Sequence, residues 1–396
     1  MTSPYLPLAP VDYMILVTDV DLQYVGDPIV CWTSIDVTLK FNEPSSGMFT
    51  VPGYPWIISQ IAAGRRIVMI RGGEMLIAGP IEKWLHERSN DGENAGVGKI
   101  TVNFSDDLAR IAARMTYPNP TETIDGQSAD NWTFEGDAEV GVLELTNVSA
   151  GAGALAPRQI PHLVIAAPVG VGTAVTVNAQ RMQPVFDVAR SMAELGGGFG
   201  FRTRQTTSNE IIFETYAPED KSDSVRFGFG LGNLAYIAYE VSAPTATTVA
   251  VGGQGDTGVE AFMTERTNTI EEASWGRFEK LVSRSGEVDI EELENDGDKA
   301  LAEGAATTRL ASNTLDMPDQ RFGSYNVGDL VAVESWPGEE VVDLVRTVHL
   351  QIYPTSGEYV SATVGSQAAT ADPYWVQRLR EVEDRIGQLE RTVQPA

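Results

Sequence analysis

The sequence predicts an α+β fold that is mainly β, with a helix at its C-terminal end. Short segments of alternating apolar and polar residues recur along most of the chain, separated by turns rich in glycine and proline, as is typical of β-strands. The last segment instead repeats apolar residues at spacings of four and three, which is the pattern of a coiled-coil helix.

Residues 1–120 are predicted to form a first β-rich domain. Apolar residues alternate with polar ones from Ile35 to Phe41, and two strand-like segments flank Gly72-Gly73, a two-residue hairpin turn. A short helix is expected around residues 56–63, and a second, capped by the polar residues before it, over residues 107–114.

Residues 121–224 are predicted to form a smaller α+β domain, and residues 225–366 a second β-rich domain. The stretch 121–156 is acidic and then rich in Gly and Ala, which indicates a boundary or an exposed insert. A helix with one apolar face is predicted over 184–195, followed by a hairpin. The third domain contains several strand patterns and one acidic helix, over about 290–305.

Composition excludes several classes of protein. There are 55 Asp and Glu against 28 Lys and Arg, so the net charge is −27, and such a surface does not attract nucleic acid or anionic lipid. The single cysteine, Cys31, excludes an intramolecular disulfide and a cysteine-based zinc site. The N-terminal residues lack the pattern of a signal peptide, and the longest uncharged run, 159–180, contains prolines and glycines that a membrane helix tolerates poorly. We therefore expect a soluble protein made in the cytosol, without a membrane span.

Motifs for catalysis or for metal and cofactor binding are not found in the sequence. His86, His162 and His349 lack metal-ligand spacing, and neither a nucleophile elbow nor a phosphate-binding loop is present. One pattern of spaced acids resembles a calcium-binding EF-hand loop, and its positions are Glu292, Glu294, Asp296, Gly297 and Glu303. Its first two ligand positions carry Glu where the shorter Asp or Asn suits the tight loop, so an acidic helix or loop is the preferred interpretation.

Residues 367–396 are predicted to form a C-terminal oligomerising helix that begins at Asp372-Pro373. Its g positions hold Arg378 and Arg385, and the e positions five residues later hold Glu383 and Glu390. Both g–e pairs are therefore of opposite charge in a parallel, in-register homo-oligomer. The predicted oligomerisation residues are Trp375, Arg378, Leu379, Val382, Glu383, Arg385, Ile386, Leu389, Glu390 and Val393. The alternative is an amphipathic helix that packs against its own domain, because three heptads are marginal alone.

Six further segments, taken in order, resemble the minor tail or baseplate hub (tail-tip) proteins of siphophages that infect actinobacteria. They are Ile35–Asn42, Ile77–Ile81, Thr101–Leu108, Gly198–Arg202, Val249–Gly255 and Tyr325–Val331. The resemblance implies a tail-hub-like fold, with two β-barrel domains related to the tail-tube subunit, smaller α+β domains and the C-terminal coiled coil. It also implies a structural virion protein rather than an enzyme, without a cofactor and without specific nucleic-acid binding.

In this interpretation three copies present six barrels to a six-fold tail tube, and the acidic wall of the resulting channel keeps DNA from adhering during ejection. The implied partners are a distal tail protein or the tail tube above, a central fibre or receptor-binding proteins below, and a tape-measure protein. The location is the tail tip of the virion, after synthesis in the host cytoplasm.

Three alternatives stay open at the level of sequence. The first is a hexameric distal tail protein, against which the trimer-type helix argues. The second is a tail-associated cell-wall hydrolase, because abundant acids could include a glycosidase pair. The third is a carbohydrate-binding adhesin, for which Trp275 and Trp336 are generic candidates.

Overall fold

A computed structural model describes residues 12–90, 96–252, 263–283, 290–317 and 320–365 of the chain. These residues form a mainly β, α+β fold, as the sequence predicts. They divide into two compact units. The first unit comprises the described parts of Met1–Tyr236 and Ser312–Gly365, and the second comprises the described part of Ile237–Ala311. The domain boundaries predicted at residues 120, 224 and 366 stay predictions.

The strands of the described residues, in chain order, are β1 (Tyr13–Thr18), β2 (Ser34–Lys40), β3 (Ser46–Pro52), β4 (Arg66–Arg71), β5 (Glu74–Glu87), β6 (Lys99–Ser105), β7 (Asn131–Asp137), β8 (Leu163–Ile165), β9 (Ala174–Gln180), β10 (Gly200–Gln205), β11 (Ile211–Tyr216), β12 (Arg226–Phe227), β13 (Leu234–Ser242), β14 (Thr248–Gly252), β15 (Met263–Thr267), β16 (Glu279–Ser283), β17 (Thr307–Thr314), β18 (Leu330–Trp336), β19 (Glu339–Tyr353) and β20 (Gly357–Gly365). The helices are α1 (Pro55–Ile58), α2 (Leu108–Ala112), α3 (Ala138–Ala150), α4 (Val185–Leu195), α5 (Thr269–Trp275) and α6 (Ile290–Glu303). None of these helices is both long and apolar enough to cross a membrane.

A large, mostly antiparallel sheet organises the fold. Its order is β1-β4-β5-β6-β3-β2-β19-β20-β17-β13, and β18 and β12 branch from β19. The chain passes from the first unit to the second within β13 and returns within β17. Strands from the two ends of the chain share this sheet because β2 pairs with β19, for example Val37 with Leu350.

Apolar and polar residues alternate along these strands, and the buried apolar residues form the core of the sheet. One row across four strands contains Leu350, Val37, Gly47 and Phe104. Gly47 is required in this row because a Cβ there would lie 2.3 Å from the Phe104 ring. The flanking apolar residues of the row are buried, so the alternation that predicts these strands also marks their inner face.

Two long strands change partners along their length. The first half of β5 pairs with β4 and its second half with β6, with a register shift between Ile81 and Lys83. In the same way β19 pairs first with β18 and then with β2 and β20. Such irregularities bend a strand and increase its twist, so they curve the sheet.

The strand order of the described residues is open, with β1 at one end and β13 at the other. No closed barrel is therefore formed within them, and the two separate tube-like barrels implied by the resemblance are not seen. The pairing of β2 with β19 merges strands of both predicted β-rich regions into one sheet. The predicted C-terminal helix, residues 367–396, lies outside the described residues.

The expectation of an exposed insert at residues 121–156 is wrong for residues 138–150, whereas residues 121–130 are mostly exposed and the boundary stays a prediction. This stretch contains β7 and α3, and α3 is central to a core that it shares with α2, α4 and β10. Asp137 caps α3 by accepting a hydrogen bond from the Glu139 N–H at 2.9 Å. Because α3 is buried on much of its circumference, its sequence lacks the one-sided apolar pattern by which α4 is predicted.

The second unit is a small sheet covered by a helix. Strand β14 lies between β15 and β16, and α6 packs on them. Leu293, Gly297 and Ala300 are buried and lie on one face of α6, since they are four and three residues apart. This face packs against β14, whose buried residues are Val249 and Val251.

Asn42 joins the large sheet to the α3–α4 region, which consists of α3, α4 and the strands β10 and β11 that share their core. This buried residue has a φ of 48°, and its side chain bonds the Phe199 carbonyl at 3.0 Å and the Phe201 N–H at 2.7 Å. We expect Asn42→Ala to lower the free energy of unfolding by about 3–5 kcal/mol, because two buried backbone groups lose their partner and alanine disfavours positive φ. Asn42→Gly removes only the bonds and is expected to cost about 2–4 kcal/mol.

Urea unfolding of both variants measures these losses. Asn209→Ala is the matched control, since Asn209 also has positive φ, 59°, but lies in the β10–β11 turn. It is expected to cost only about 1 kcal/mol. A loss at Asn42→Ala no larger than this control would show that the two buried bonds do not stabilise the fold.

Candidate assembly site

The predicted oligomerisation residues all lie outside the described residues, so the structure does not bring them together or separate them. They are Trp375, Arg378, Leu379, Val382, Glu383, Arg385, Ile386, Leu389, Glu390 and Val393. The coiled coil and its g–e pairing stay predictions.

Each of the three histidines has its own polar partner. Their nearest polar partners are the Val97 carbonyl for His86 at 3.1 Å, Asp21 for His162 at 3.6 Å and Asp36 for His349 at 3.0 Å. Each contact is a local one between two neighbouring strands or loops. Across the described ranges, no group of three His, Cys, Asp or Glu side chains is placed to hold a metal ion.

The EF-hand-like pattern lies within helix α6 rather than in a loop. An EF-hand ligand set requires a loop that turns sharply at its glycine. Gly297 instead packs against the second unit's sheet, where a Cβ would lie 2.6 Å from Arg266. Arg266 also forms an ion pair with Asp298 at 2.7 Å. The spaced acids therefore belong to a helix, and the glycine allows it to approach the sheet.

The two tryptophans named as sugar-binding candidates are both exposed. Trp275, at the end of α5, is 42% exposed, and Trp336, at the end of β18, is 72% exposed. Trp275 belongs to the second unit and Trp336 to the first. Their role in sugar binding stays a prediction.

A buried salt bridge joins Arg66 and Asp107 in the first unit. The two bonds measure 2.7 and 2.6 Å, and the side chains are 4% and 3% exposed. Arg66 also donates to the Gln205 amide oxygen at 3.1 Å. These contacts join β4, the start of α2 and the end of β10. Sequence analysis missed them because the partners are 41 and 139 residues apart.

Asp106, next to this salt bridge, lines a cavity of about 290 Å³ in the first unit. Its Oδ2 accepts a hydrogen bond from the Ser45 N–H at 3.0 Å. Its buried Oδ1 and the Thr203 hydroxyl, which lines the same cavity, have no hydrogen-bond partner among the described residues. Burial raises the pKa of Asp106 to about 7, and the neighbouring Asp107 adds to this rise.

Arg71, which lines the same cavity, belongs to a second charged group. Arg71 binds Glu358 with bonds of 2.6 and 2.9 Å, and the Tyr13 hydroxyl also donates to Glu358. These three residues connect β1, β4 and β20. Nearby, burial raises the pKa of Asp316 to about 6, against the opposing effect of a bond from the Tyr325 hydroxyl at 2.9 Å.

Glu139 holds a loop against the start of α3. Its fully buried carboxylate accepts bonds from the N–H groups of Val169, Gly170 and Val171 at 2.6–3.0 Å, and from the Thr215 hydroxyl at 2.6 Å. Burial raises the pKa of Glu139, but these four bonds outweigh it and hold the pKa below its usual value. The carboxylate therefore acts as a structural anchor.

The raised pKa of Asp106 predicts that stability falls as the pH rises. The native carboxyl binds its proton up to about pH 7, whereas the unfolded one releases it near pH 4, so the native state binds more protons in this window. We expect the free energy of unfolding to fall by roughly 2–4 kcal/mol between pH 4.5 and pH 8. Asp316 contributes in the same direction up to about pH 6.

Urea unfolding at pH 5, 6, 7 and 8 measures this dependence. Asp106→Asn is expected to remove most of the slope between pH 6 and pH 8, while Asp125→Asn, at an exposed position, keeps it. An unchanged slope in Asp106→Asn would contradict the assignment.

Comparison with known proteins relates this fold to phage proteins. A family model described as Siphovirus ReqiPepy6 Gp37-like protein matches residues 14–366. No curated protein sequence matches the chain.

Solved structures of prophage tail proteins have a similar fold. The 43 kDa tail protein of prophage MuSo2 from Shewanella oneidensis is 14% identical with a TM-score of 0.54, and the match covers 90% of this chain and 99% of that one. The tail protein from Neisseria meningitidis MC58 is 13% identical with a TM-score of 0.54, covering 90% and 97%. Prophage tail protein gp18 from Listeria monocytogenes EGD-e is 11% identical with a TM-score of 0.52, covering 88% and 94%.

At these identities the structural similarity shows the fold, and the family model supplies the relationship. Because that model matches most of the chain, the chain belongs to the Siphovirus ReqiPepy6 Gp37-like family, and its fold resembles that of prophage tail proteins.

Proposed function

We propose that this protein is a structural component of a siphophage virion: a homotrimeric tail-tip, or baseplate, hub that closes the tail tube and forms part of the DNA exit channel. The observation that carries the proposal is the family match over residues 14–366, followed in sequence by a heptad repeat. The fold similarity to prophage tail proteins supports a place in the tail. The protein acts by assembly and electrostatics rather than by catalysis.

The C-terminal heptads support a trimer. The segments Arg378–Glu383 and Arg385–Glu390 both have the order Arg, apolar, two residues, apolar, Glu, which is found in short trimeric coiled coils. Each Arg at g faces a Glu at e of the neighbouring helix, so parallel chains in register attract each other. So short a coil is marginal alone, and the globular part contributes to the same three-fold contact.

A trimeric hub has to present two similar surfaces per chain to a six-fold tube, and the large sheet is our candidate for both. We propose that its two portions, around β1–β6 and around β17–β20, occupy the positions of two tube-like barrels. The register shifts in β5 and β19 give each portion the curvature that such a role requires. Three chains then offer six similar surfaces to a six-fold tube or distal tail protein above. Below, the three C-terminal helices converge toward a central fibre or receptor-binding proteins, with the tape-measure protein in the channel.

The acid excess suits a channel for DNA. Even if every Lys and Arg paired with one carboxylate, 55 − 28 = 27 acids would lack a partner, and three copies carry 3 × 27 = 81 net negative charges. Several described arginines form ion pairs, for example Arg277 with Glu265 and Glu279 at 3.0 and 2.7 Å. A channel wall bearing the remaining acids repels phosphates and prevents contacts that would slow DNA passage.

The heptad seam predicts the oligomeric state of purified protein. Ile386→Asp combined with Leu389→Asp places charge at buried a and d positions, so we expect the trimer to dissociate at least tenfold more readily. Gln388→Asp introduces one such charge at the c position of the predicted heptads, and it is the control for each of the two Asp substitutions made singly. Native mass spectrometry and sedimentation measure the change.

The g–e pairing has its own test. Arg378→Glu with Arg385→Glu opposes like charges and weakens the trimer, and adding Glu383→Arg with Glu390→Arg restores it. A wild-type mass of six chains favours the hexameric distal tail protein. Trimers that tolerate both Asp substitutions would show that the helix packs on its own domain.

Cryo-imaging of virions, with this chain marked by a bound antibody fragment, tests the location. We expect three copies at the tail tip around the channel, and acidic side chains on the channel wall. A six-copy ring or absence from the tip would overturn the hub assignment, and a neutral or basic wall would overturn the charge argument. Cell-wall cleavage lost on changing one carboxylate would instead establish a hydrolase.

A further inference from the structure

An aromatic pocket lies in the first unit beside Asp12. Its volume is about 670 Å³, and its walls include Tyr13, Trp32, Ile70, Tyr353 and Pro354. It is bordered by the β4–β5 turn, the β19–β20 turn and the loop that precedes β2. The exposed fractions of Tyr353, 42%, and of the rim residue Val30, 65%, leave a large apolar surface open in this pocket.

The floor of the pocket is fixed by polar bonds. Glu358 is held by Arg71 and by the Tyr13 hydroxyl. The indole N–H of Trp32 donates to the Tyr13 carbonyl at 3.3 Å, and the two rings meet edge to face with centroids 6.0 Å apart. The charged and polar groups of the floor are therefore already bonded, and what the pocket offers to a ligand is mainly ring and aliphatic surface.

The eleven residues before Asp12 have a sequence suited to such a surface. Pro4, Pro7 and Pro10 recur at a spacing of three, and none of the eleven side chains is charged. A polyproline II helix has three residues per turn, so this spacing aligns the prolines along one edge of such a helix. Aromatic-lined grooves are the surfaces that recognise proline-rich segments in this conformation. These eleven residues lie outside the described part of the chain, so this step rests on their sequence.

We propose that the pocket binds the Pro4–Pro10 segment of the same chain as a polyproline II helix. Asp12 both lines the pocket and directly follows the segment, and its carbonyl accepts a bond from the Gly72 N–H at 2.9 Å, which holds the chain at the pocket's edge. A volume of about 670 Å³ corresponds to a width of roughly 9 Å, about the length of one three-residue turn of this helix.

Attachment to the pocket's edge favours binding within one chain. One residue, Val11, separates Pro10 from Asp12, and so short a tether gives an effective concentration on the order of millimolar, far above that of a segment from another chain. The bound segment covers apolar surface that would otherwise promote association of free subunits.

The test uses the full-length protein and a fluorescently labelled peptide of residues 2–11. In the variant Pro4→Ala, Pro7→Ala, Pro10→Ala the pocket is open, so the peptide is expected to bind this variant at least tenfold more tightly than it binds wild type. A peptide carrying the same three alanines is the control and is expected to bind at least tenfold more weakly. Fluorescence anisotropy measures all four combinations.

Pocket variants locate the binding. Adding Tyr353→Ala to the triple variant is expected to weaken peptide binding at least tenfold, whereas Tyr359→Ala, at a 50% exposed position of β20 outside the pocket, leaves it unchanged. Urea unfolding confirms that both variants fold. Equal binding to wild type and the triple variant, no binding to either, or equal binding of the alanine peptide would overturn the proposal.

Binding by a segment of a second copy would give a different result. In that case residues 2–11 would hold two or more copies together, and dilution would separate the copies. Wild type would then bind the labelled peptide more tightly as the multi-chain species is lost. That outcome would also overturn the proposal in its intramolecular form.

Discussion

The salt bridge between Arg66 and Asp107 is the interaction on which the arrangement of the first unit depends. Both side chains are almost fully buried, and their two bonds are supplemented by one from Arg66 to Gln205. Removing one partner of a buried ion pair typically costs about 3–5 kcal/mol, because the other charge is left without compensation. The three residues come from β4, the start of α2 and the end of β10, so the α3–α4 region is held at a fixed place on the large sheet. Asn42 fixes the same junction through the backbone of β10.

Contacts of this kind suit a protein that holds its neighbours in a fixed arrangement, as the proposed hub does. Glu139 anchors a loop with four hydrogen bonds, and Glu358 gathers Tyr13 and Arg71 from two other strands. In each case a buried carboxylate is used to connect separate elements instead of facing a substrate. A first unit held together in this way suits the proposed hub, which has to keep its orientation on a tail tube while DNA passes.

The acidic composition has two different uses in this molecule. Some acids are buried and bonded. Asp106 is also buried, which raises its pKa to about 7, and one of its oxygens lacks a hydrogen-bond partner among the described residues. The second group consists of the other acids, which exceed the basic residues available to pair with them, because acids outnumber bases by 27 in the sequence. Only the second group can contribute the field that the proposed channel needs, since buried, paired carboxylates have little effect at a distance.

The sequence by itself determined the α+β class, most strands, helices α4 and α6, the acid excess and the heptad repeat, because each is encoded in neighbouring residues. Alternation from Ile35 to Phe41 suffices for β2, and one-sided apolar spacing suffices for α4. Only the tertiary structure decided that β2 pairs with β19, that residues 138–150 form a buried helix, and that Gly297 packs against a sheet instead of turning a calcium loop. It also decided the partners of Arg66 and Asn42. These features depend on contacts between residues far apart in the chain, whose energy comes from burial and bond geometry that no local pattern contains.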